Sequence, residues 1–139
     1  MRVLVVDGNL AIQEILFDIL TMSGQKAGTV GSIDDAEKCL VRFKPDAIFL
    51  DAALCGGDRS FFDAVGRDLA ENPPKIFMLV KDEVPQDISA DGCIRKPFKS
   101  ADIIEVISSL EGKEKETILK EMIDRLEKPD PNEKETSNG

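Results

Sequence analysis

Short apolar runs alternate with amphipathic segments along the first 110 or so residues of the chain. Five runs are rich in aliphatic residues and have the length of buried strands: residues 2–6, 26–30, 47–50, 76–80 and 92–95. Most of the segments that follow them place apolar residues at helical spacing. This alternation predicts an α/β fold, a doubly wound parallel sheet with helices on both faces.

Polar residues mark where the predicted helices begin and end. We expect Asn9 and Ser32 to cap the first two helices and Gly24 to stop the first. Ser60 should begin the third helix, and Ser100 should cap the last. The residues predicted to face the core are Ile12, Ile15, Leu16, Ile19 and Leu20; Ala36, Cys39, Leu40 and Phe43; Phe62, Val65 and Leu69; and Ile103, Ile104, Val106, Ile107 and Leu110.

Two of the connections between predicted strands contain stretches without apolar residues at helical spacing. The sequence Cys-Gly-Gly at 55–57 predicts a flexible loop after the central strand. Residues 82–90 lack periodic apolar side chains, so a helix there should be truncated or absent.

The composition changes beyond residue 112. Residues 113–128 are highly charged and are predicted to form a C-terminal helix with one apolar stripe. The stripe consists of Ile118, Leu119, Met122, Ile123 and Leu126. Residues 129–139 are polar and predict a disordered tail. The chain should therefore be one domain over residues 1–112 with a helical extension, whose stripe docks on the domain, on a second copy in a homodimer, or on a partner.

Charge and composition narrow the classes of partner. The formal net charge is −9, and no basic stripe interrupts it, which argues against nucleic acid and anionic membrane as direct partners. No apolar run approaches the ~20 residues that span a bilayer, so a cytoplasmic location is expected. The three cysteines form no Cys-x-x-Cys pair, which gives no indication of a disulfide framework or a zinc site.

Three charged residues stand at corresponding positions in the predicted sheet. Asp7 and Asp51 end the first and third strands, and Lys96 follows the fifth. The carboxyl ends of parallel strands form one crevice, so these side chains should converge there. Carboxylates beside a hard cation and a fixed lysine suit phosphoryl capture. The chain contains no histidine, which excludes histidine-based triads.

These motifs resemble the receiver domain of two-component response regulators. The resemblance rests on Val-Val-Asp at 5–7, on Pro-Asp followed by apolar residues and Asp at 45–51, and on Lys-Pro-Phe at 96–98. It covers residues 2–111 and implies a flavodoxin-like five-stranded parallel sheet of order 2-1-3-4-5. It also implies Mg²⁺-dependent phosphorylation by a histidine kinase or another signalling protein.

The resemblance assigns roles to individual residues. Asp51 would be the phospho-acceptor, and Lys96 would pair with the acceptor or its phosphate. Asp7, Asp51 and the backbone carbonyl of Ala53 would bind Mg²⁺. The Lys96–Pro97 peptide bond is often cis in this family.

The sequence also departs from the receiver pattern. Receiver domains usually have two consecutive acids at the end of the first strand, and here Gly8 takes the place of the second. Mg²⁺ binding should therefore be weak or absent. Val80 replaces the hydroxyl residue that holds the phosphoryl group, and Cys93 replaces the switch aromatic. These departures predict a degraded phospho-switch.

Three classes of function remain after these departures. The favoured one is a receiver module, pseudo-receiver in character, that signals through protein contacts and is not an enzyme. The alternative is a fully competent single-domain response regulator that is switched by phosphorylation of Asp51. A phosphatase with an aspartate nucleophile is disfavoured, because Asp7 is followed by Gly8-Asn9 instead of the Asp-x-Asp usual in such enzymes.

Overall fold

The five predicted strands form one parallel sheet. A computed structural model of the chain describes residues 1–56, 58–81 and 90–127. The strands are β1 (Arg2–Val6), β2 (Lys26–Val30), β3 (Ala47–Asp51), β4 (Lys75–Val80) and β5 (Gly92–Arg95). All neighbours pair in parallel, in the order β2-β1-β3-β4-β5. The predicted flavodoxin-like fold and its strand order are confirmed.

Helices cover both faces of this sheet. They are α1 (Leu10–Met22), α2 (Ile33–Phe43), α3 (Ala52–Cys55), α4 (Ser60–Asp68), α5 (Ser100–Glu111) and α6 (Lys115–Glu127). The strands alternate their side chains between the faces, so that Val3 and Val5 pack with α1, α5 and α6. Leu4 and Val6 point the other way and pack with α2, α3 and α4.

The predicted helix signals at the first two helices are confirmed. The Asn9 side chain accepts hydrogen bonds from the backbone of Ala11 and Ile12, and Ser32 accepts one from Asp35. Gly24 has φ 91°, a conformation that suits glycine after a helix end. The predicted cap at the last helix is wrong by one residue, since α5 begins at Ser100 and Lys99 precedes it as the capping position.

Three further predictions about local structure are corrected. Ile15 was expected to face the core but is 47% exposed. In α4 the predicted Val65 is buried and Phe62 and Leu69 are partly buried against the same cluster, but the fully buried face also includes Phe61 and Ala64. The small side chain of Ala64 completes the i, i+3, i+4 set and was overlooked. Part of the predicted loop after β3 is the single helical turn α3.

The C-terminal helix packs against the sheet's α1–α5 layer. It begins at Lys115, two residues later than predicted, and its Ile118 is 1% exposed in the core. Met122 packs against the same cluster, whereas Leu119, Ile123 and Leu126 are exposed. The prediction of a truncated or absent helix at 82–90, except for Ala90, and the prediction for the tail at 129–139 lie outside the described residues. Among the described helices, none is long and apolar enough to cross a membrane.

Candidate functional site

The structure brings Asp7, Asp51 and Lys96 together at the carboxyl edge of the sheet. The Nζ atom of Lys96 lies 2.6 Å from Oδ2 of Asp7 and 3.6 Å from Oδ1 of Asp51. The parallel arrangement of the strands explains why these three side chains converge, because β1 and β3 are adjacent and Lys96 follows directly after β5. One ammonium group therefore stands between two carboxylates that are 44 positions apart in sequence.

Each carboxylate is held by the backbone two residues further along the chain. Oδ1 of Asp7 accepts a hydrogen bond from the Asn9 N–H at 2.9 Å. Oδ1 of Asp51 accepts one from the Ala53 N–H at 3.1 Å, which caps α3. This local bonding is a common use of aspartate at turns and fixes both side chains toward the crevice.

The two carboxylates differ in exposure. The Asp7 side chain is 0% exposed, whereas the side chains of Asp51 and Lys96 are each 16% exposed. A charge-assisted hydrogen bond as short as that between Lys96 and Asp7 gains strength where water is excluded. Asp7 is therefore the buried anchor of Lys96, and Asp51 is the carboxylate that a ligand in the crevice can reach.

The crevice is a cavity of about 800 Å³ at this edge. It is lined by Asp7, Gly8, Asn9, Ile12, Asp51, Ala53, Lys81, Lys96 and Pro97. Such a volume falls in the range of small-ligand sites. The exposed Lys81 adds a second positive charge to the wall.

The backbone of Lys96 is fixed by the neighbouring strand. Its N–H donates to the carbonyl of Val80 at 2.7 Å, which continues the pairing of β4 with β5. The Lys96–Pro97 peptide bond is cis, as the resemblance implied. Pro97 then lines the cavity directly after the lysine.

The donor set at this edge can be compared with the ligands that Mg²⁺ prefers. Mg²⁺ is usually held by one or two carboxylates together with waters and phosphate oxygens. Asp7 and Asp51 are such ligands, but Asp7 is already paired with Lys96. No cluster of three acidic, histidine or cysteine side chains able to hold a metal occurs in the part of the chain that the structure describes. The Ala53 residue predicted to offer its carbonyl lines the cavity.

The three departures from the receiver pattern fall at or beside this site. Gly8 lines the cavity, and a Cβ built on it would meet only Gly31 O at 3.7 Å and Leu54 Cδ2 at 3.8 Å. Val80 is buried at the end of β4, where it has no hydroxyl to offer a phosphoryl group. Cys93 is exposed on β5.

A buried cysteine lies close to Asp51. Cys55, at the end of α3, is 6% exposed. Burial raises the pKa of its thiol, and the nearby carboxylates of Asp51 and Asp58 raise it further. This cysteine is therefore held as a neutral thiol and packs as a small apolar side chain.

Two residues at the site were missed in the sequence. Gln13 donates from Nε2 to the backbone carbonyl of Asp7 at 2.6 Å and holds the turn between β1 and α1. Asn9 was predicted only as a cap, although its N–H also binds the Asp7 carboxylate. The Asp-x-Asn spacing is a signal for the second contact, whereas nothing in the sequence distinguishes Gln13 from a surface residue.

Comparisons with known proteins agree on the fold. No family model matches the sequence, and no curated protein matches it. Solved structures, in contrast, do match the fold of this chain. The receiver domain of the sensor histidine kinase PA1611 from Pseudomonas aeruginosa, which has a magnesium ion coordinated in its active-site cleft, superposes with a TM-score of 0.68 at 22% identity, covering 81% of this chain and 98% of that one.

Two further structures give the same result. The chemotaxis response regulator CheY4 of Vibrio cholerae has a TM-score of 0.67 at 21% identity, over 78% of this chain and 97% of its own. A CheY-like receiver domain from Methylobacillus flagellatus has a TM-score of 0.65 at 25% identity, over 79% and 98%.

Sheet order, site placement and these likenesses define a class. The molecule is a doubly wound α/β domain whose acidic crevice contains a lysine from the end of the last strand. More narrowly, its fold is that of the receiver domains of two-component response regulators.

Proposed function

We propose that the chain is a receiver-type signalling module whose phospho-switch is degraded and whose output depends on protein contacts. The observation that carries the proposal is the position of Lys96, which is hydrogen bonded to buried Asp7 and lies within ion-pair distance of Asp51. Crowded carboxylates need a cation to stay ionised together. Here a covalently attached ammonium group supplies that charge, so the site has less need of a metal ion.

The missing second acid strengthens this argument. With Gly8 at the end of β1, a metal ion would have the carboxylates of Asp7 and Asp51 and the carbonyl of Ala53 as its protein ligands. It would lose one oxygen ligand and one negative charge relative to a receiver with an acidic pair. When bound, Mg²⁺ would neutralise charge on phosphoryl oxygens. Its affinity for this chain should be low.

The response to phosphorylation should be weak as well. Val80 cannot donate a hydrogen bond to a phosphoryl group on Asp51, and Cys93 cannot act as a switch aromatic. We therefore expect the chain to act mainly in one conformational state, as a non-enzymatic binding module. Its partners would be a histidine kinase or another signalling protein, and the exposed side of α6 is a second candidate contact surface. The predicted cytoplasmic location stays a prediction.

The alternative is a competent response regulator, and the exposure of Asp51 favours it. This carboxylate lines the cavity and is within 3.6 Å of Lys96 Nζ, a position from which the lysine could also reach a phosphate. In that reaction an Asp51 oxygen would bond to phosphorus while the donor leaves with the electron pair of its broken bond.

Magnesium titration with and without beryllofluoride, a phosphoryl mimic, separates the two functions. The unmodified chain should bind Mg²⁺ weakly and change little with the mimic. Gly8→Asp should bind Mg²⁺ roughly tenfold more tightly or better, because it adds a carboxylate where a side chain has room. Gly8→Asn is the matched control, since it adds similar bulk without charge.

The outcomes are distinct. If Gly8→Asn tightens Mg²⁺ binding as much as Gly8→Asp, the missing charge is not the cause. Tight binding by the unmodified chain, with rapid phosphorylation of Asp51, would favour the competent regulator. Asp51→Asn should abolish any phosphorylation in every background.

A further inference from the structure

One side of α6 is anchored on the domain. Ile118 is 1% exposed, and Met122 packs against the same core cluster. Arg125 donates from Nη1 to the carbonyl of Met22 at 2.8 Å, which ties the end of α6 to the end of α1. Lys115 lies 3.3 Å from Glu105 of α5. The orientation of α6 is therefore fixed, and so is the side that it turns outward.

The outward side of α6 carries an apolar stripe. Leu119, Ile123 and Leu126 are 44%, 52% and 68% exposed. They stand at i, i+4 and i+7, so they lie above one another along the helix. We refer to these three residues as the α6 stripe.

The segment that follows α6 in the sequence offers little apolar surface to the α6 stripe. Residues 128–139 read Lys-Pro-Asp-Pro-Asn-Glu-Lys-Glu-Thr-Ser-Asn-Gly and contain no aliphatic or aromatic side chain. Burying leucine and isoleucine surface requires apolar surface from elsewhere. A second polypeptide can supply that surface.

We propose that the α6 stripe is the contact of a weak two-fold dimer, in which α6 packs antiparallel against α6 of a second copy. A two-fold axis beside Ile123 sets this residue against its own counterpart. Leu119 then faces Leu126 of the second copy, and Leu126 faces Leu119. The stripe is thus complementary to itself, as a two-fold interface requires.

The charges beside the α6 stripe fit the same register. Lys120 and Glu127 lie on one flank of the stripe, seven positions apart. Antiparallel packing about Ile123 brings Lys120 near Glu127 of the second copy, and symmetry repeats the pair. A parallel two-fold arrangement would place the flanks that carry Lys120 and Glu127 on opposite sides of the interface, so these residues of the two copies could not pair.

The net charge of α6 is small, so it opposes contact between two copies only weakly. Helix α6 has three basic and four acidic side chains, a net charge of −1, within a chain whose net charge is −9. Two such chains repel one another, and the repulsion is least where the surface is nearly neutral. Moderate salt should therefore strengthen the dimer, because it screens repulsion between the distant acidic surfaces.

The size of the α6 stripe sets the expected strength. Stable interfaces bury roughly 1,200 Å² or more in total, and three partly exposed side chains from each copy supply less. We expect a dissociation constant on the order of 0.1–1 mM. The dimer goes beyond the proposed function, since its contacts involve neither Asp51 nor the cavity.

Sedimentation velocity of the full chain tests the dimer, over concentrations from about 10 µM to about 1 mM. The mass should rise with concentration. Ile123→Asp should abolish the rise, because it would set two carboxylates against each other at the axis. Leu10→Asp is the matched control, since Leu10 is an apolar residue of α1 that is 72% exposed, and it should leave association unchanged. Circular dichroism checks that each variant is folded.

A charge exchange tests the register. Lys120→Glu and Glu127→Lys should each weaken association several-fold, and the double variant should restore it. A chain that stays monomeric over the whole range overturns the proposal and leaves the stripe to a different protein. A dimer that survives Ile123→Asp also overturns it. Failure of the double variant to restore association would overturn the antiparallel register.

Discussion

Lys96 has two partners at this site, and they are unequal. Its hydrogen bond to Asp7 is 1 Å shorter than its approach to Asp51, and Asp7 is fully buried. An ionised group in such a place needs a partner, since removal of one member of a buried pair leaves an uncompensated charge. The lysine therefore contributes to folding as well as to the chemistry proposed for the crevice.

Replacing Lys96 tests this contribution. Lys96→Met keeps the length of the side chain and removes its charge, so it should lower the free energy of unfolding by about 3 kcal/mol. Lys81→Met, on an exposed residue that lines the same cavity, should change it by less than about 0.5 kcal/mol. Urea unfolding measures both. Equal effects would show that Asp7 does not depend on Lys96.

The three cysteines differ in surroundings and should differ in reactivity. Burial raises the pKa of the Cys55 thiol, with Asp51 and Asp58 adding to it, and burial also raises the pKa of Cys39. A raised pKa lowers the fraction of reactive thiolate at a given pH. Exposed Cys93 should therefore be alkylated first at about pH 8, and Cys55 last.

Peptide mass spectrometry follows each cysteine separately. Labelling of Cys39 and Cys55 should increase as the pH rises, since more of each thiol is then ionised. If Cys55 reacted as fast as Cys93, the turn α3 would have to open readily, and Asp51, which caps it, would not be held in place.

The convergence of Asp7, Asp51 and Lys96 could be predicted from the sequence, since parallel strands bring their carboxyl ends to one edge. The sequence could not predict that Lys96 lies closer to Asp7 than to Asp51. That depends on burial, which follows from packing around Asp7 by residues distant in sequence, and on local bonds such as the one from Asn9.

Among the elements, α6 combines two kinds of surface. Its inner side is part of the core through Ile118, whereas its outer side is exposed at Leu126. The sequence pattern showed one continuous stripe and could not separate these sides. The packing of Ile118 and Met122 on the core and the bond from Arg125 to the end of α1 fix which residues turn inward.

Two alanine variants should separate the sides of α6. Ile118→Ala should lower the free energy of unfolding by about 3 kcal/mol, because it leaves a cavity in a packed core. Leu126→Ala should change it by no more than about 0.5 kcal/mol at a dilution where the chain is monomeric. Thermal or urea unfolding gives the comparison. Similar small effects would mean that α6 detaches from the domain.

The strands were the best-predicted elements, and short helical segments the worst. Buried parallel strands give continuous aliphatic runs, so their bounds in the sequence agree with the structure to within one residue. The turn α3 has only four residues, too few to show a helical period, and Asp51 caps it from the end of a strand. In α4 the small side chain of Ala64 concealed the true face.

At the scale of the whole molecule, the proposed receiver site and the proposed dimer contact lie in different parts of the structure. The crevice lies at the carboxyl edge of the sheet, where Asp51 is positioned by β3. Helix α6 lies on the α1–α5 layer and is tied to the end of α1. Coupling between them would need an element with two arrangements that both sites influence. In the proposed function Val80 and Cys93 occupy the switch positions, so the chain would lack the side chains of the receiver switch for that purpose.

We therefore predict a small conformational response to occupation of the crevice. Saturating beryllofluoride and Mg²⁺ should shift backbone amide NMR signals near Asp51 and Lys96 and leave those of α6 unchanged. At sub-saturating Mg²⁺, Gly8→Asp should raise occupancy of the site without extending the shifts, because added metal affinity does not replace the missing hydroxyl at Val80. Asp51→Asn supplies the background spectrum.

In the cell, the same variant should leave signalling largely intact if the output comes from a constant surface. Two results together would contradict this prediction: shifts that spread across β4, β5 and α5 in the unmodified chain, and loss of signalling in Asp51→Asn. They would show that an ordinary phospho-switch operates through residues other than Val80 and Cys93.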